Sequence, residues 1–480
     1  MLLSPEDAQA KKDHSFGIPP LMCAIVIISA TVMFLISCAR HLMLQSTGFD
    51  LGIFDQAIYL ISQGETPFSS LMGFHILGDH GALVFYLIAL LYKIYPHVFW
   101  LFFLQSIALA LGVLPIWYLA KLAGLKDNQN LVVAIAYLLY PVVFNANLFD
   151  FHPEVMAIPA LAWAVLSARL NKIGQFLIAI VLVLGCKAAL SLTVMALGIW
   201  MIFLEKQRIY GAIALTMGTA WFIFATQFLI PSFSGSEAAA ISRYSYLGTS
   251  VVGVIINLFI QPQRIFKVLF SWDNFKYILV LFLPVIWGIR PSQMGYLLPA
   301  APAFLLNLLA DYQPQKDIVF QYSIPIVPFL MLAIIHTLAA WGGWIKNRRI
   351  IIVWSLVFFL LLARWSYFIT KYLPQMKTWQ ATKDAIARVP AQAAVLTDNN
   401  IVPQLSHRPI IQRVTIKNLD NLMQYDCVLF NQNHEEPGIP QELIAENIKD
   451  LQQRPEFYLD YQRDGVWLFK KGINNDSKGQ

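Results

Sequence analysis

Long apolar runs alternate with short polar connectors through the first 370 residues of the chain. Residues 21–39 and 350–363 each fill most of the ~20 positions that a helix needs to cross ~30 Å of hydrocarbon. The runs predict about eleven spanning helices, because a helix satisfies its own backbone groups in lipid and a lone strand does not. The predicted spans are residues 18–41, 98–120, 130–148, 155–169, 173–187, 189–204, 210–231, 277–290, 294–310, 322–344 and 350–369.

The segments between and after these runs predict the remaining elements. Residues 45–97 and 232–276 are predicted to be outer loops, the first with two interfacial helices, one of them at residues 81–96. From residue 376 the chain turns polar, and its patterns predict a small α/β domain over residues 376–480. The patterns are the helices TWQATKDAIARV and PQELIAENIKDL, the strands AAVLT and DCVLF, and a strand pair in FYLDYQRDGVWLF. The fold class is an all-α polytopic transmembrane bundle (residues 18–370) between a cytoplasmic tail (residues 1–17) and that α/β domain.

Composition and charge refine this prediction. Hydrophobic residues make up 58% of the chain and charged residues 13%, whereas a soluble domain carries roughly 25% charge. We interpret the net charge of +6 as a record of membrane orientation, and it does not indicate nucleic-acid binding. In the predicted topology, the basic connectors face the cytoplasm and the C-terminus lies on the outer side of the cytoplasmic (inner) membrane. Arg40 is an exception, because it lies at the outer end of the first span. Those connectors are Lys121/Lys126, Arg169/Lys172, Lys206/Arg208, Arg290 and Lys346/Arg348/Arg349.

The first outer loop places acidic side chains just beyond the first span. Solvated loop charges would explain them, but Asp50 and Asp55 lie among large apolar residues in GFDLGIFDQAIYL. The segment is therefore predicted to lie against the membrane with two carboxylates on it. We interpret Asp50, and after it Asp55, as candidate catalytic residues.

A second cluster, NLFDFHPE, joins two predicted spans. Helix capping would explain Asp150, because an acid near a helix N-terminus and a proline in its first turn are both favoured. Asp150, His152 and Glu154 could instead hold a divalent cation, or supply a base with its orienting partner. Such groups are costly at a membrane boundary unless they are paired or used.

Four further residues are candidates for substrate binding. Lys187 stands alone in an apolar hairpin, where it should meet a protein carboxylate or a substrate phosphate unless it snorkels to the headgroups. Arg243, Tyr244 and Tyr322 could contact a sugar or phosphate, although aromatic residues are also common at membrane interfaces. No nucleotide-binding loop, serine-hydrolase elbow or zinc-protease motif stands in a suitable context.

The order of these features resembles a known family. GFDLGIFDQA, GDHGALVFYLIALLYKIYP, PIWYLAKLAG, AIAYLLYP, DFHPE and the lysine-bearing hairpin are similar to an uncharacterised family of bacterial polytopic membrane proteins. That family in turn resembles the GT-C glycosyltransferases, such as the protein mannosyltransferases and the aminoarabinose transferase. The resemblance covers residues 20–370 and continues into AVLTDNNIVPQLSHRP.

The resemblance implies a function and roles for the candidates. It implies transfer of a sugar, with inversion, from a polyprenyl-phosphate donor to an undetermined acceptor, with Asp50 as the base and Lys187 near the phosphate. Asp150, His152 and Glu154 would lie where GT-C enzymes often hold an acidic or metal-binding group. In this family the lysine precedes acidic residues, whereas Ala188 and Ala189 follow Lys187 here.

Two other functions remain open at this point. A catalytically inactive GT-C-like scaffold is favoured by the alanines after Lys187. A lipid or sugar transporter would be expected to carry ionisable groups at mid-span and an internal repeat, and the sequence shows neither.

Overall fold

The computed structural model describes residues 17–340, 342–436 and 438–472. Residues 1–16 of the predicted cytoplasmic tail lie outside this part of the chain. The helices are α1 (Pro20–Leu42), α2 (Ile53–Gln63), α3 (Leu77–His80), α4 (Val84–Ile94), α5 (Phe99–Leu111), α6 (Val113–Leu122), α7 (Asp127–Leu138), α8 (Pro141–Leu148), α9 (Ala157–Arg169), α10 (Ile173–Cys186), α11 (Leu190–Phe203), α12 (Arg208–Phe224), α13 (Ile230–Ser234), α14 (Val251–Ile260), α15 (Pro262–Leu269), α16 (Trp272–Phe282), α17 (Ala301–Leu309), α18 (Val327–Ala340), α19 (Arg348–Leu362), α20 (Leu373–Gln375), α21 (Trp379–Ile386), α22 (Ile416–Leu419) and α23 (Gln441–Gln453).

The strands form two sheets. They are β1 (Phe68–Ser69), β2 (Phe74–His75), β3 (Val395–Thr397), β4 (Ile411–Arg413), β5 (Cys427–Asn431), β6 (Phe457–Arg463) and β7 (Val466–Lys471). β1 and β2 make a short hairpin in the segment predicted as the first outer loop, and the other five make the C-terminal sheet.

The membrane domain contains fewer clear spans than the sequence predicts. By length and apolar composition, four described helices could cross a membrane, or up to seven if each bent pair counts as one span. The count of eleven is therefore not confirmed. The four are Pro20–Leu42, Phe99–Leu122, Arg208–Ser234 and Gln313–Ala340, and the bent pairs are Asp127–Leu138 with Pro141–Leu148, Val251–Ile260 with Pro262–Leu269, and Arg348–Leu362 with Arg364–Ile386.

Helix length and proline account for the difference. α10 and α11 have 14 residues each, below the ~20 that span hydrocarbon unaided. The predicted spans at 277–290 and 294–310 are broken by tight 3-10 turns at Leu283–Gly288 and Pro291–Ala300. Both turns contain proline, which removes a backbone donor and disrupts α-helix geometry.

The segment predicted as the second outer loop is also more structured than expected. It contains α14 and α15, which meet at a bend of 92° and form a broken span or a re-entrant loop by length and composition. α15 has no buried residue. The helix expected near residues 81–96 is present as α4.

Helix α18 lies at the centre of the membrane domain. α18 ends the candidate span Gln313–Ala340, whose most apolar 18 residues are 83% buried inside the protein. Phe329 and Ile334 of α18 are fully buried in the main hydrophobic cluster. Glycines bring α11 and α12 close together. A Cβ on Gly198 would come within 2.5 Å of the Leu215 nitrogen, so the two backbones touch where a larger residue would separate them.

The C-terminal sheet has the strand order β4-β3-β5-β7-β6. β4, β3 and β5 are parallel, with Val395 opposite Ile411 and Cys427, and β7 and β6 add an antiparallel pair. The predicted helices and strands of this domain are present. β4 was not predicted, because three residues give too short a pattern.

Candidate active site

The candidate residue Asp50 lies on a strained turn. Gly48–Gly52 forms one wide turn between α1 and α2, and within it Asp50 has φ +113° and ψ −83°, a conformation that costs a non-glycine residue energy and persists only where neighbours hold it. The Gly48 N–H donates to the Asn399 carbonyl at 2.7 Å. A Cβ on Gly48 would come within 2.7 Å of Val402. The C-terminal domain therefore packs directly on the turn that carries Asp50.

An ion pair in the membrane domain anchors the other side of this turn. Arg40 Nη1 donates to Asp150 Oδ1 at 2.6 Å, and both side chains are buried. The N–H and hydroxyl of Thr47 donate to Asp150 Oδ2 at 3.0 and 2.6 Å. The charge of Arg40, which did not fit the predicted orientation pattern, is explained by this pair.

His152 brings the NLFDFHPE segment to Asp50. Its Nδ1 lies 2.8 Å from the carbonyl of Asp150, and its ring stacks on Phe149. Nε2 approaches Asp50 Oδ1 to 3.3 Å, but without the alignment of a hydrogen bond, so among the described residues this buried atom has no such partner. Burial lowers the pKa of His152, and the carboxylates of Asp50 and Glu154 more than offset it, so the pKa is raised.

Lys187 pairs with a protein carboxylate. Its ammonium donates to Glu154 Oε1. Burial would raise the pKa of Glu154, but Lys187 and then His152 bring it down to about 2. Glu154 Oε2 is buried and has no hydrogen-bond partner in the described part of the chain. Asp79 of the first outer loop lies within electrostatic reach of Lys187 and Glu154, and the His80 carbonyl accepts from the Ala188 N–H at 2.9 Å.

The three residues predicted as metal ligands face different partners. Asp150 is bound to Arg40, Glu154 to Lys187, and His152 lies against Asp50. Over residues 17–340, 342–436 and 438–472, no group of three or more His, Cys, Asp or Glu is arranged to hold a metal ion. The arrangement does not support the metal interpretation of this segment, because both carboxylates are already neutralised by cationic side chains.

Two of the predicted substrate-binding residues approach the same region. The Arg243 guanidinium stacks on Tyr312 and Tyr322, 4.5 and 5.1 Å from the ring centroids, and donates to Gln315 at 3.0 Å. Tyr322 is within electrostatic reach of the Asp50 carboxylate. The loop after α13 therefore contributes a cation near the turn of Asp50.

Tyr244 occupies a different environment. It is buried, its hydroxyl donates to the Leu306 carbonyl at 2.9 Å, and it accepts from Gln315 Nε2 at 2.9 Å. A substrate would have to displace these bonds, so the geometry favours a role in holding Arg243 and Gln315.

Asp55 is separated from Asp50 by its partners. Tyr92 donates to Asp55 Oδ1 at 2.5 Å, Ser406 donates to Oδ2, and His407 Nε2 lies 3.1 Å from Oδ2. The carboxyl is buried. His407 also stacks on Tyr59 with ring centroids 4.5 Å apart. Asp55 thus connects the first outer loop to the C-terminal domain.

Sequence reasoning missed the residues of the C-terminal domain that complete this region. Asn399 and Val402 contact the Asp50 turn, and Ser406 and His407 bind Asp55. They stand about 350 positions from their partners (351 for Ser406 and Asp55), so no local pattern could pair them. A signal existed for Arg40, a charge at the predicted outer end of a span. The four C-terminal residues lie within AVLTDNNIVPQLSHRP, into which the family resemblance continues, but that resemblance assigns them no partner.

Comparison with known proteins agrees with this architecture. Residues 40–468 match the model of a family described as "Predicted membrane protein (DUF2079)". No curated protein matches the chain. The structure of ArnT from Cupriavidus metallidurans bound to undecaprenyl phosphate is similar, with a TM-score of 0.58 and 11% identity over 95% of this chain and 99% of that chain. Apo ArnT has a TM-score of 0.49 at 11% identity, over 92% and 97%. The first similarity shows that the chain has an ArnT-like fold.

Proposed function

Because the chain belongs to the DUF2079 family of predicted membrane proteins and has an ArnT-like fold, we propose that it is a membrane glycosyltransferase. In this proposal a polyprenyl phosphate carries the donor sugar, and transfer to an acceptor hydroxyl takes place at the outer face of the cytoplasmic membrane. One observation carries the proposal. Asp50, the pair of Glu154 and Lys187, and His152 come from three separate connections of the membrane domain and meet at one end of it.

The proposed reaction needs a base and a cation. The acceptor oxygen attacks the anomeric carbon of the sugar, its proton passes to the Asp50 carboxylate, and the bond from the sugar to the phosphate oxygen breaks. The negative charge that develops on the departing phosphate is stabilised by a cation held in place beforehand. Lys187 is the candidate cation, and Arg243 is the second.

Asp50 suits the proposed role because its carboxylate is not saturated. Its side chain is 27% exposed, and its one ionic contact with a described residue is that to His152, at 3.3 Å. The capping position of α2 is Gly52 and not Asp50, which removes the simplest structural explanation for an acid at this position. His152 would orient the carboxylate.

Glu154 would hold Lys187 in the site until the donor arrives. A lysine at a membrane boundary needs an anion, and Glu154 supplies one while keeping Oε2 free of hydrogen bonds to described residues. A donor phosphate would share the ammonium with Glu154. For a divalent cation, the described residues offer no group of three or more His, Cys, Asp or Glu as ligands.

The inactive-scaffold function is the second candidate, and one observation favours it. Ala188 and Ala189 stand where the family resemblance implies acids. In the structure, Glu154 and Asp79 supply negative charge next to Lys187 from other connections, so the alanines do not leave the lysine without carboxylates.

Binding of the lipid phosphate tests the proposal. In nanodiscs, we expect native mass spectrometry to show undecaprenyl phosphate bound to the wild type. Lys187→Gln should bind this lipid with about tenfold lower affinity, because the substitution removes a charge-assisted hydrogen bond to the phosphate. Lys93→Gln, at an exposed lysine of the predicted first outer loop, is the matched control. Equal binding by both variants would exclude Lys187 from the phosphate site. Failure of the wild type to release undecaprenyl phosphate from a sugar-loaded donor would favour the scaffold.

The orientation in the membrane is part of the proposal. The C-terminal domain contacts the end of the membrane domain that carries Asp50, and the basic connectors predict that this end is outside. In a chain with its four cysteines replaced, Arg348→Cys should react with a maleimide from the cytoplasmic side and Glu435→Cys from the outer side. Reaction of both from the cytoplasm would overturn the orientation.

A further inference from the structure

We propose that His80 is a further phosphate-binding residue of the candidate site, and that its imidazole takes up a proton when a prenyl phosphate binds. The inference rests on the proposed function, because it concerns the same phosphate that Lys187 is proposed to bind. His80 belongs to residues 78–81, which read GDHG and are called the GDHG segment below. The segment lies in the predicted first outer loop.

Two glycines allow the GDHG segment to pack closely beside Lys187. Gly81 has φ +62°, and a Cβ on it would come within 3.6 Å of the Ala188 Cβ. The Ala188 N–H donates to the His80 carbonyl at 2.9 Å. A Cβ on Gly78 would come within 2.8 Å of a backbone nitrogen of α13. The segment is therefore held between α13 and the residue that follows Lys187.

The side chains of Asp79 and His80 lie against each other. Asp79 Oδ2 contacts His80 Nδ1, and the two side chains are 12% and 23% exposed. With Nδ1 held by the carboxylate, Nε2 is left to donate to another acceptor. Burial would raise the pKa of Asp79, but His80 and then Lys187 lower it. Asp79 is thus an ionised partner for a protonated imidazole that solvent can still reach.

Charged groups of other connections face this pair. Lys187 and Glu154 lie within electrostatic reach of Asp79, and Glu154 also lies within reach of His80. α13 packs against the other side of the GDHG segment and carries no ionisable side chain. His75 of the nearby β2 stacks on an aromatic ring of α13 instead. His80 is therefore the histidine of this loop that faces the ion pair of Lys187.

Phe54 connects His80 to the surroundings of the candidate base. Its ring centroid lies 6.0 Å from that of His80 and 5.8 Å from that of His152. His152 Nε2 in turn approaches Asp50 Oδ1 to 3.3 Å. The two histidines thus contact one buried ring, with His152 next to Asp50 and His80 near Lys187.

The charges of the candidate site leave little room for an anion. Three carboxylates face two permanent cations and one imidazole whose pKa is raised. The carboxylates are those of Asp50, Asp79 and Glu154, the cations are Lys187 and Arg243, and the imidazole is that of His152. These charges balance before a ligand arrives, and a phosphate monoester adds a charge of about −1.5 to −2 at pH 7. Uptake of a proton by the site would offset part of that charge.

His80 is suited to take up this proton. Histidine is the side chain that ordinarily changes its charge near neutral pH. His152 is buried against Asp50, whereas His80 is partly exposed and can exchange a proton with solvent. In the complex, Asp79 would accept from Nδ1–H and a phosphate oxygen from Nε2–H. Because the anion favours the protonated imidazole, its affinity should fall as pH rises and that proton is lost.

Calorimetric titration of the full chain in nanodiscs with farnesyl phosphate, a soluble prenyl phosphate, tests the proposal. Titrations at pH 7.5 in buffers of different ionisation enthalpy count the protons taken up on binding. We expect about 0.5–1 proton per phosphate in the wild type and almost none in His80→Gln, which keeps an N–H donor but cannot hold the proton. From pH 6.5 to pH 8.5 the affinity should fall about tenfold in the wild type and about twofold or less in His80→Gln.

His75→Gln is the matched control. His75 precedes His80 in the same loop, and its Nδ1 accepts from the Leu77 N–H at 3.2 Å, so this variant should take up protons as the wild type does. Full proton uptake in His80→Gln would overturn the role of His80. Should that variant fail to fold, Asp79→Asn decides in its place. It keeps the imidazole but removes the carboxylate that supports its charge, so uptake should fall while affinity for the phosphate is retained.

Turnover separates this inference from the proposed function. If the wild type binds farnesyl phosphate with His80-dependent proton uptake but releases no undecaprenyl phosphate from a sugar-loaded donor, the phosphate site stands and the transferase is rejected. If the wild type turns over and His80→Gln takes up protons normally, the role of His80 alone is rejected. A wild type that does not bind farnesyl phosphate rejects both.

Discussion

Asp50 and Asp55 are five residues apart, yet their surroundings differ in almost every respect. Asp50 lies on a strained turn, partly open to solvent, with one loose contact to His152. Asp55 lies in the first turn of α2, fully buried, with Tyr92, Ser406 and His407 around its two oxygens. The difference shows that a carboxylate whose two oxygens are hydrogen-bonded is suited to stabilising the structure, whereas a general base needs an oxygen that a substrate can reach. The proposed chemistry therefore belongs to Asp50.

The largest expected effect is on turnover at Asp50. Asp50→Asn keeps the size of the side chain but removes its charge, so release of undecaprenyl phosphate should fall by ~10²–10⁴-fold at normal protein levels, the usual contribution of a general base. Asp55→Asn is the comparison, and its turnover per folded molecule should fall much less. A fall of similar size in both variants would remove the distinction between the two carboxylates.

The next effect is on stability at Asp55. Asp55→Asn leaves one oxygen to accept from Tyr92 or Ser406, and it removes the counter-charge of His407, whose side chain is 30% exposed. The loss of a hydrogen bond to a charged group costs about 1.5–3 kcal/mol. Limited proteolysis should cut the connection between the membrane domain and the C-terminal sheet faster than in the wild type. Asp50→Asn should resist the protease as the wild type does. Unchanged cleavage in Asp55→Asn would show that the pair does not hold the domains together.

A smaller effect is expected where the C-terminal domain supports the Asp50 turn. Val402 is fully buried and packs on Gly48 and Gly52. Val402→Ala should cost about 1–2 kcal/mol of packing and lower turnover by ~10-fold, with KM for the donor unchanged, as the strained turn relaxes. Val414→Ala removes an equally buried valine in a hydrophobic cluster without contact to that turn and should retain turnover. Equal losses in both variants would indicate a general effect on stability.

The smallest effect is a dependence on pH. Burial lowers the pKa of His407, but the Asp55 carboxylate more than offsets this effect, so the pKa is raised. Burial alone would raise the pKa of Asp55, but His407, Ser406 and Tyr92 lower it. The stabilisation by His407 is therefore complete below its unfolded pKa of 6.5 and is lost as pH rises through the raised value. The stabilisation by Asp55 is present above its unfolded pKa of 3.8 and is lost as pH falls through its lowered pKa in the folded state.

Hydrogen exchange of residues 405–411, corrected for the intrinsic rate, measures this dependence. Protection should decrease between pH 6 and pH 9 in the wild type and stay level in His407→Gln. A decrease of the same size in His407→Gln would assign the dependence to another group.

The sequence predicts the elements of this fold better than their number or their contacts. The first span follows from its long apolar run, and the helices and strands of the C-terminal domain, except β4 and α22, follow from periodicity. The prolines in Leu283–Gly288 and Pro291–Ala300 divide apolar runs that composition alone predicts to be spans. For the candidate site too, the sequence predicts the residues better than their contacts. The cost of charge at a membrane boundary draws attention to Asp150, Glu154 and Lys187, but their partners are set by packing. Arg40 and Asp150 are 110 positions apart, so their pairing has no local signature.

The contacts of the Asp50 turn also fix a sequence of events during synthesis. Gly48 and Asp55 leave the ribosome early, but their partners Asn399, Ser406 and His407 follow about 350 residues later, 351 of them in the case of Ser406. At ~5–20 residues per second this is an interval of roughly 20–70 s, in which the turn has no outer support. A nascent or truncated chain inserted in the membrane therefore lacks a completed turn, and maturation of the site is coupled to translation of the final domain.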